Sequence, residues 1–472
     1  MVPDITRGLS SASNRSTRPV SSLRRALAGS TWEGIFATPL VYLNLPANLV
    51  LAVLLAEVLR VPPSTYGWLV SLPFWCNVLQ LPIGGFLFSR WRAREVFVVN
   101  IWINSAVWLA FAVTLLLAPE WLRQNRGLGA GSFLFAAGLG NAVMAVAWTT
   151  YMQSWVPARV RAVYFSKRNR WGQLANLLFL LLVGVALLRP TAPVLAAIIV
   201  FSAALRAVSA VVAARNPALG DPPSGSSGWV GQWPAVWAAR PFLAMVLFGC
   251  LWGAVINAYG AFQPLFVLSV LGEKPHLASL PLALSVLFGA LALPAWGRLI
   301  ARYGARPVMF CALPLWAVIT FMWAFLTPET RWLLYPAWAF SGAVSTGIVL
   351  AQLNLLMKLM PPAARSLAVA LNTAVPAIGT ALGPILAGQA LSFALGQGWS
   401  AESVYQVFFL AVPLGAAAPL LALRRVTEPA AAPVEHAVGA FRNVRTLAGA
   451  LGLGFLAQAL FTPRGEGRRS EY

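Results

Sequence analysis

Apolar residues along the chain gather into twelve long runs, separated by short stretches that carry most of the charge. The runs fall near 33 to 58, 66 to 88, 96 to 118, 129 to 153, 171 to 188 and 192 to 213. A second set falls near 241 to 271, 277 to 297, 307 to 327, 332 to 357, 367 to 394 and 404 to 423. Wound as α-helix, such runs are long enough to cross about 30 Å of hydrocarbon. Those beginning at 33, 241 and 367 exceed a minimal span, so they must tilt, kink or protrude, and Pro39, Pro46, Pro264 and Pro376 are candidate kink sites.

The distribution of positive charge tests this count. An even number of spans returns both tails and every second loop to one side of the membrane, the side expected to hold the Lys and Arg residues. The tail ahead of the first run, the loops near 90 to 94, 159 to 170, 298 to 306 and 358 to 365, the stretch holding Arg206, Arg215 and Arg240, and the chain from Arg424 onward together hold 28 basic residues. The opposite side receives Arg60, Arg123, Arg126, Arg189, Lys274 and Arg331, which makes six and accounts for all 34. One missed or invented span would scramble that split. Both tails are therefore expected on the cytoplasmic side of a plasma or inner membrane. The first thirty residues are rich in Ser and Arg and lack the apolar core of a cleaved signal peptide, so the first run is expected to remain as a span.

Composition supports the same class, with 59% hydrophobic residues, 10% charged residues and a mean hydropathy of +0.73. It also disarms the formal charge of +21 and the pI near 11.3. In a soluble protein these would point to nucleic acid, but here the charge is spread over short loops without a domain behind it. Cys76, Cys250 and Cys311 sit in apolar runs without metal-ligand spacing and read as small packing residues.

Between the sixth and seventh runs lies NPALGDPPSGSSGWVGQWP, a Pro-, Gly- and Ser-rich stretch that reads as a flexible linker. The parts on either side look related. GGFLFSRWRAR after the second run has a counterpart in GRLIARYGARP after the eighth, and VPARVRAVYF after the fourth has one in MPPAARSLAV after the tenth. Gly85 to Arg161 is 76 residues and Gly297 to Arg365 is 68, so the signals recur in the same order at similar separation. The expected division is a tail over 1–29, a six-helix bundle over 30–215, a linker over 216–240, a second six-helix bundle over 241–425, and a C-terminal tail over 426–472. Six plus six spans with an internal repeat suits a transporter whose solute site lies near the midplane between the halves.

Over roughly residues 30 to 425 the chain resembles the major facilitator superfamily, as a bacterial-type member. The resemblance rests on the family's loop signature Gly-x-Leu-x-Asp-Arg-x-Gly-Arg-Lys. Gly85, Leu87, Arg90 and Arg94 match it in the first half; Gly297, Leu299, Arg302, Gly304 and Arg306 match it in the second. It implies an all-α integral membrane protein with twelve transmembrane helices in two pseudo-symmetric six-helix bundles. It also implies gating or coupling roles for these loop residues together with Arg161 and Arg365. The family's Asp is Ser89 in the first copy and Ala301 in the second, and its second Gly is Arg92 in the first copy. In the family that Asp ties the loop to neighbouring helix ends, so both copies here lack the expected latch, and Glu95 is the nearby acid that could substitute. GTALGPILAG (379 to 388) on the eleventh run resembles a packing motif of the family, whereas the fifth run lacks the copy diagnostic of drug and proton antiporters.

Ionisable residues inside a membrane are functional candidates by default. The two Asp residues, Asp4 and Asp221, lie in the tail and the linker, and of eleven Glu residues only Glu33 and Glu57 border a run. At 100° per residue Glu33, Asn44 and Asn48 share a face of the first run. By resemblance, the first, fourth, seventh and tenth spans line the cavity, which makes this face the first choice. Asn44 and Asn48 would then hydrogen-bond solute and Glu33 would gate or titrate at the mouth; alternatively the amides join helices and Glu33 faces headgroups beside Trp32. Asn141 and Trp148 align on the fourth span, Trp252, Tyr259 and Gln263 on the seventh, and Ser341, Ser345 and Gln352 on the tenth. Together these suggest a neutral cavity lined by aromatic and amide groups, suited to small neutral or amphiphilic solutes.

No catalytic or cofactor site is expected: His276 lies in an outer loop and His436 in the tail, and no phosphate-binding glycine loop occurs. The function expected is facilitative or ion-coupled transport by alternating access, in a monomer, with a proton or another ion as the coupling candidate and no enzymatic activity. The alternative is a receptor or membrane assembly factor that keeps the fold without transporting, suggested by the two lost loop acids. Residues 434 to 461 read as an amphipathic helix on the cytoplasmic face rather than a thirteenth span, since spanning would carry Arg464, Arg468 and Arg469 outside.

Overall fold

The structure, a computed structural model, describes residues 20–45, 48–88, 90–156, 158–216 and 229–442. It is helical, with no strand among the described residues. The long helices follow the predicted runs: α1 (Val20–Leu43), α2 (Pro63–Phe88), α3 (Ala93–Leu117), α4 (Leu128–Trp155), α5 (Ala158–Ala186) and α6 (Ala192–Ala214) form the first set. The second is α7 (Arg240–Ser269), α8 (Pro275–Tyr303), α9 (Ala305–Phe321), α10 (Leu334–Leu359), α11 (Arg365–Gly396) and α12 (Ala401–Leu414), the last continued by Ala417–Arg424. Among the described residues nine of these are long and apolar enough to cross a membrane, and α1, α2 and α5 occupy the three remaining runs, consistent with twelve spans.

The first run breaks near its middle. α1 ends at Leu43, and a separate helix Leu49–Val53 begins beyond it and passes into a π-helical turn, Leu54–Val58. Asn48 makes the restart possible: its Oδ1 accepts from the Leu51 backbone N–H at 2.7 Å, as an N-cap. Pro39, Pro264 and Pro376 lie inside unbroken helices, and Pro46 lies outside the described residues.

Helix packing repeats with a period of six. α3 packs on α4 as α9 does on α10, α2 on α4 as α8 on α10, α1 on α5 as α7 on α11, and α3 on α6 as α9 on α12. The two sets meet where α2 runs along α11 and α5 along α8, a second symmetry-related pair. Tryptophans divide by position: Trp91, Trp121, Trp237, Trp332 and Trp399 are exposed at or near helix ends, where interfacial anchors belong, while Trp108, Trp252, Trp316, Trp323 and Trp338 are buried.

Candidate functional site

A cavity of about 520 Å³ opens within the first six helices, walled by α1, α3, α4, α5 and α6. Its charged lining is Glu33, Arg168 and Arg206, two positive charges against one negative. Glu33 on α1 is only 2% exposed. Its Oε2 accepts from Arg168 Nη2 at 2.9 Å, and its Oε1 lies 3.5 Å from Arg206 Nη1. Arg206, on α6, is 4% exposed; its Nη2 faces the Met144 sulfur, a weak acceptor, and its Nε is buried without an acceptor among the described residues. Arg168 is fixed from three sides, by Glu33, by the Ser30 carbonyl at 3.1 Å, and by the Trp148 ring, whose centroid lies 4.6 Å from the guanidinium carbon. The Trp148 indole Nε1 is likewise buried without an acceptor.

The positive-charge count assigns Arg206 to the cytoplasmic side together with loop residues. The structure adds its surroundings: α6 runs to Ala214, so Arg206 lies inside the helix rather than in a loop, and it is turned toward Glu33. The expectation of an uncharged lining fails for this cavity for the same reason. Asn141 and Trp148 do line it, beside Glu33.

The other expected solute contacts lie elsewhere. Asn44 donates to the Leu40 carbonyl at 2.8 Å and accepts from Trp108 Nε1 at 3.3 Å, joining the end of α1 to α3. Asn48 is engaged as the cap described above and donates to the Leu43 carbonyl at 3.1 Å and to that of Leu45. Trp252 and Tyr259 are packed into an aromatic core of the second six helices. There Trp316 meets their rings edge-on at 4.8 and 5.3 Å, and Trp323 and Phe409 close around Tyr259 at 5.8 and 5.7 Å. Gln263, one turn further on α7, is buried. Ser345 and Gln352 on α10 are half-buried, with Gln352 directed at α7 near Gly249.

The two signature loops solve the missing acid differently. In the first, Glu95 accepts from the Arg92 backbone N–H at 3.4 Å, capping its own helix α3, and Arg94 Nη2 donates to the Ala214 carbonyl at the end of α6. Ser89 lies outside the described residues. Gly85 falls in α2 and Arg161 in α5, both without described side-chain surroundings, while Arg90 is exposed beyond α2. In the second loop the acid arrives from the far end of the chain. Glu428, beyond α12, has a fully buried carboxylate that accepts from the backbone N–H groups of Ala305 and Arg306 at 3.2 and 2.7 Å. It also meets Lys358 Nζ, at the end of α10, at 2.6 Å. An anion at a helix N-terminus is favoured by the unpaired amides and the dipole. Gly304 lets it approach: its φ of +96° suits glycine, and a Cβ there would stand 3.1 Å from Glu428 Oε2 and 2.8 Å from the Ala431 Cβ. Arg302 and Arg306 lie over the rings of Tyr303 and Phe310, Gly297 sits within α8, and Arg365 begins α11. The helix Val434–Arg442 packs against α9, and the rest of the expected amphipathic segment lies outside the described residues.

The seam between the helix sets is closed at one end and holds a cavity further along. At the end away from the signature loops, the Ser64 N–H donates to Ser392 Oγ at 2.8 Å and Tyr66 meets Phe262 at 5.5 Å. There Gly67 lies so close to the Pro384 carbonyl that a Cβ would overlap it. Nearer the signature loops a cavity of about 820 Å³ lies between the middle parts of α5 and α8, lined on one side by residues from Asn169 to Leu177 and on the other by residues from Val286 to Pro294. Asn169 also lines the charged cavity, so the two adjoin.

Residues 269–463 match the family model of the Major Facilitator Superfamily. No curated protein matches the chain by sequence. Among solved structures, a variant of the nucleoside transporter NupG superposes with a TM-score of 0.68 at 14% identity, covering 85% of this chain and 100% of that one. A bacterial homologue of the human lysosomal transporter Spinster, in an inward-facing, unoccupied conformation, gives 0.58 at 17%, covering 93% and 97%. A structure from work on substrate recognition in proton-dependent oligopeptide transporters gives 0.62 at 13%, covering 86% and 100%. At these identities the likeness is one of fold.

Proposed function

For a chain with the major facilitator superfamily fold, we propose transport of a small amphiphilic solute by alternating access, as a facilitator or coupled to a proton or another ion. The observation that carries this reading is the seam, tightly packed at one end and holding a cavity between α5 and α8 nearer the signature loops. A rocking transporter needs this asymmetry, because only one end can admit solute at a time. Two six-helix units, 30–215 and 241–425, joined by the linker 216–240, would be the moving bodies. With the basic loops cytoplasmic, the conformation would face inward, and the protein would sit in the plasma or inner membrane as a monomer.

Between neutral and amphiphilic solutes, the lining favours the amphiphilic: Ala37, Val41 and Phe97 supply apolar wall, and Glu33, Arg168 and Arg206 a polar end. Asn141 and Trp148 are the expected contacts there. Trp252 and Tyr259 act as scaffold, since their rings are enclosed by α9 and α12. The test is counterflow in proteoliposomes with a panel of amphiphilic solutes, with and without a pH gradient. Saturable flux above empty liposomes is expected; saturable binding without flux for any of the panel would instead support a receptor.

A further inference from the structure

We infer that the polar end of the solute is a single negative charge, a carboxylate, which binds Arg206 and Arg168 in the cavity of the first six helices and competes there with Glu33. This rests on the transport reading only for the word solute; the site stands on its own geometry. Three observations carry it. The lining holds two guanidinium groups and one carboxylate, so one monoanion brings it to neutrality. Charge removed from water is costly unless paired, which makes the surplus cation the strongest unmet interaction in the cavity.

Second, the unmet donors belong to the same cavity. Among the described residues Arg206 Nε and Trp148 Nε1 are both buried without acceptors, and the other Arg206 contacts given are a sulfur and two long ones, to Glu33 and to Ser209 Oγ, each at 3.5 Å. A carboxylate has two oxygens and no hydrogen to donate, which suits the Arg206 and Arg168 guanidinium groups; an amide brings its own N–H groups, and an amine adds a third positive charge. Third, the space fits a body behind the head, with about 520 Å³ of cavity walled by Phe97, Val41, Ala37 and Ala145. Gly34 is part of the construction. A Cβ there would stand 2.6 Å from Arg168 Nη2, so an alanine would push that guanidinium away from its place beside Glu33.

The test uses benzoate and its uncharged isostere benzamide on the full chain in detergent, read by titration calorimetry and by thermal unfolding. Wild type should bind benzoate at least tenfold more tightly than benzamide. Arg168→Gln should lose that preference, and Gly34→Ala, which alters no charge, should weaken benzoate at least threefold. Glu33→Gln should unfold at lower temperature and regain most of the loss with benzoate but not with benzamide, because the ligand then replaces the missing carboxylate. Where Glu33→Gln fails to fold, the Arg168→Gln and Gly34→Ala titrations decide. Equal binding of benzoate and benzamide, or a preference unchanged in Arg168→Gln, would overturn the inference. Benzoate binding without flux would remove the transport reading and leave this site; flux of an uncharged solute with benzoate ignored would do the reverse.

Discussion

The two sets of six helices share a packing plan and differ in what they bury. The first encloses an acid and two arginines around open space; the second encloses Trp252, Tyr259, Trp316, Trp323 and Phe409 packed ring against ring. Repetition has preserved the scaffold while the interiors have diverged. On the proposed transport reading this would be a division of labour, in which one half recognises the charged end of the solute and the other serves as a stiff partner against which it rocks.

The largest effects should come from emptying either interior, and their signatures should differ. Glu33→Ala leaves the buried Arg206 and the half-buried Arg168 without their acid and is expected to cost about 3–5 kcal/mol of stability. Trp316→Ala opens a hole in the aromatic core and should cost a comparable amount, about 3–5 kcal/mol. Thermal unfolding checks both. The comparison breaks if Trp316→Ala also abolishes the preference for benzoate over benzamide, since that would put head-group recognition in the second half.

The signature loops sharpen the same contrast at smaller scale. Glu428→Ala strands the Ala305 and Arg306 amides and leaves Lys358 unpaired, at about 1–3 kcal/mol. Hydrogen exchange at 304–308 should quicken while the first loop stays unchanged. Glu95→Ala removes a long, local capping contact and should cost only about 0.3–1.5 kcal/mol, confined to the start of α3. Equal effects from the two acids would mean that the loops are latched alike.

Much of this was legible in the sequence. Hydropathy and charge located the long helices because spanning segments must be apolar and unbroken by loops. Asn48 also carried a usable signal, a capping residue after Pro46 at the point where the first run breaks. The charged cavity was not legible, because Arg206 was counted for its sign rather than its depth. It is the one basic residue inside a predicted run, and that signal could have found it. Arg168 stood just ahead of a run whose helix begins ten residues earlier, at Ala158. Helical periodicity grouped Trp252 with Tyr259 correctly, but a shared face does not reveal whether it looks into a cavity or onto α9. The partner of the second signature loop was hidden for another reason: Glu428 lies more than a hundred residues away, and only the fold brings it there.

The most direct test of the divided interior is the benzoate-over-benzamide affinity ratio, measured side by side in wild type, Arg168→Gln and Trp316→Phe. The account predicts a ratio of at least ten in wild type, close to one in Arg168→Gln and unchanged in Trp316→Phe. A ratio that survives Arg168→Gln, or falls equally in both variants, would contradict it.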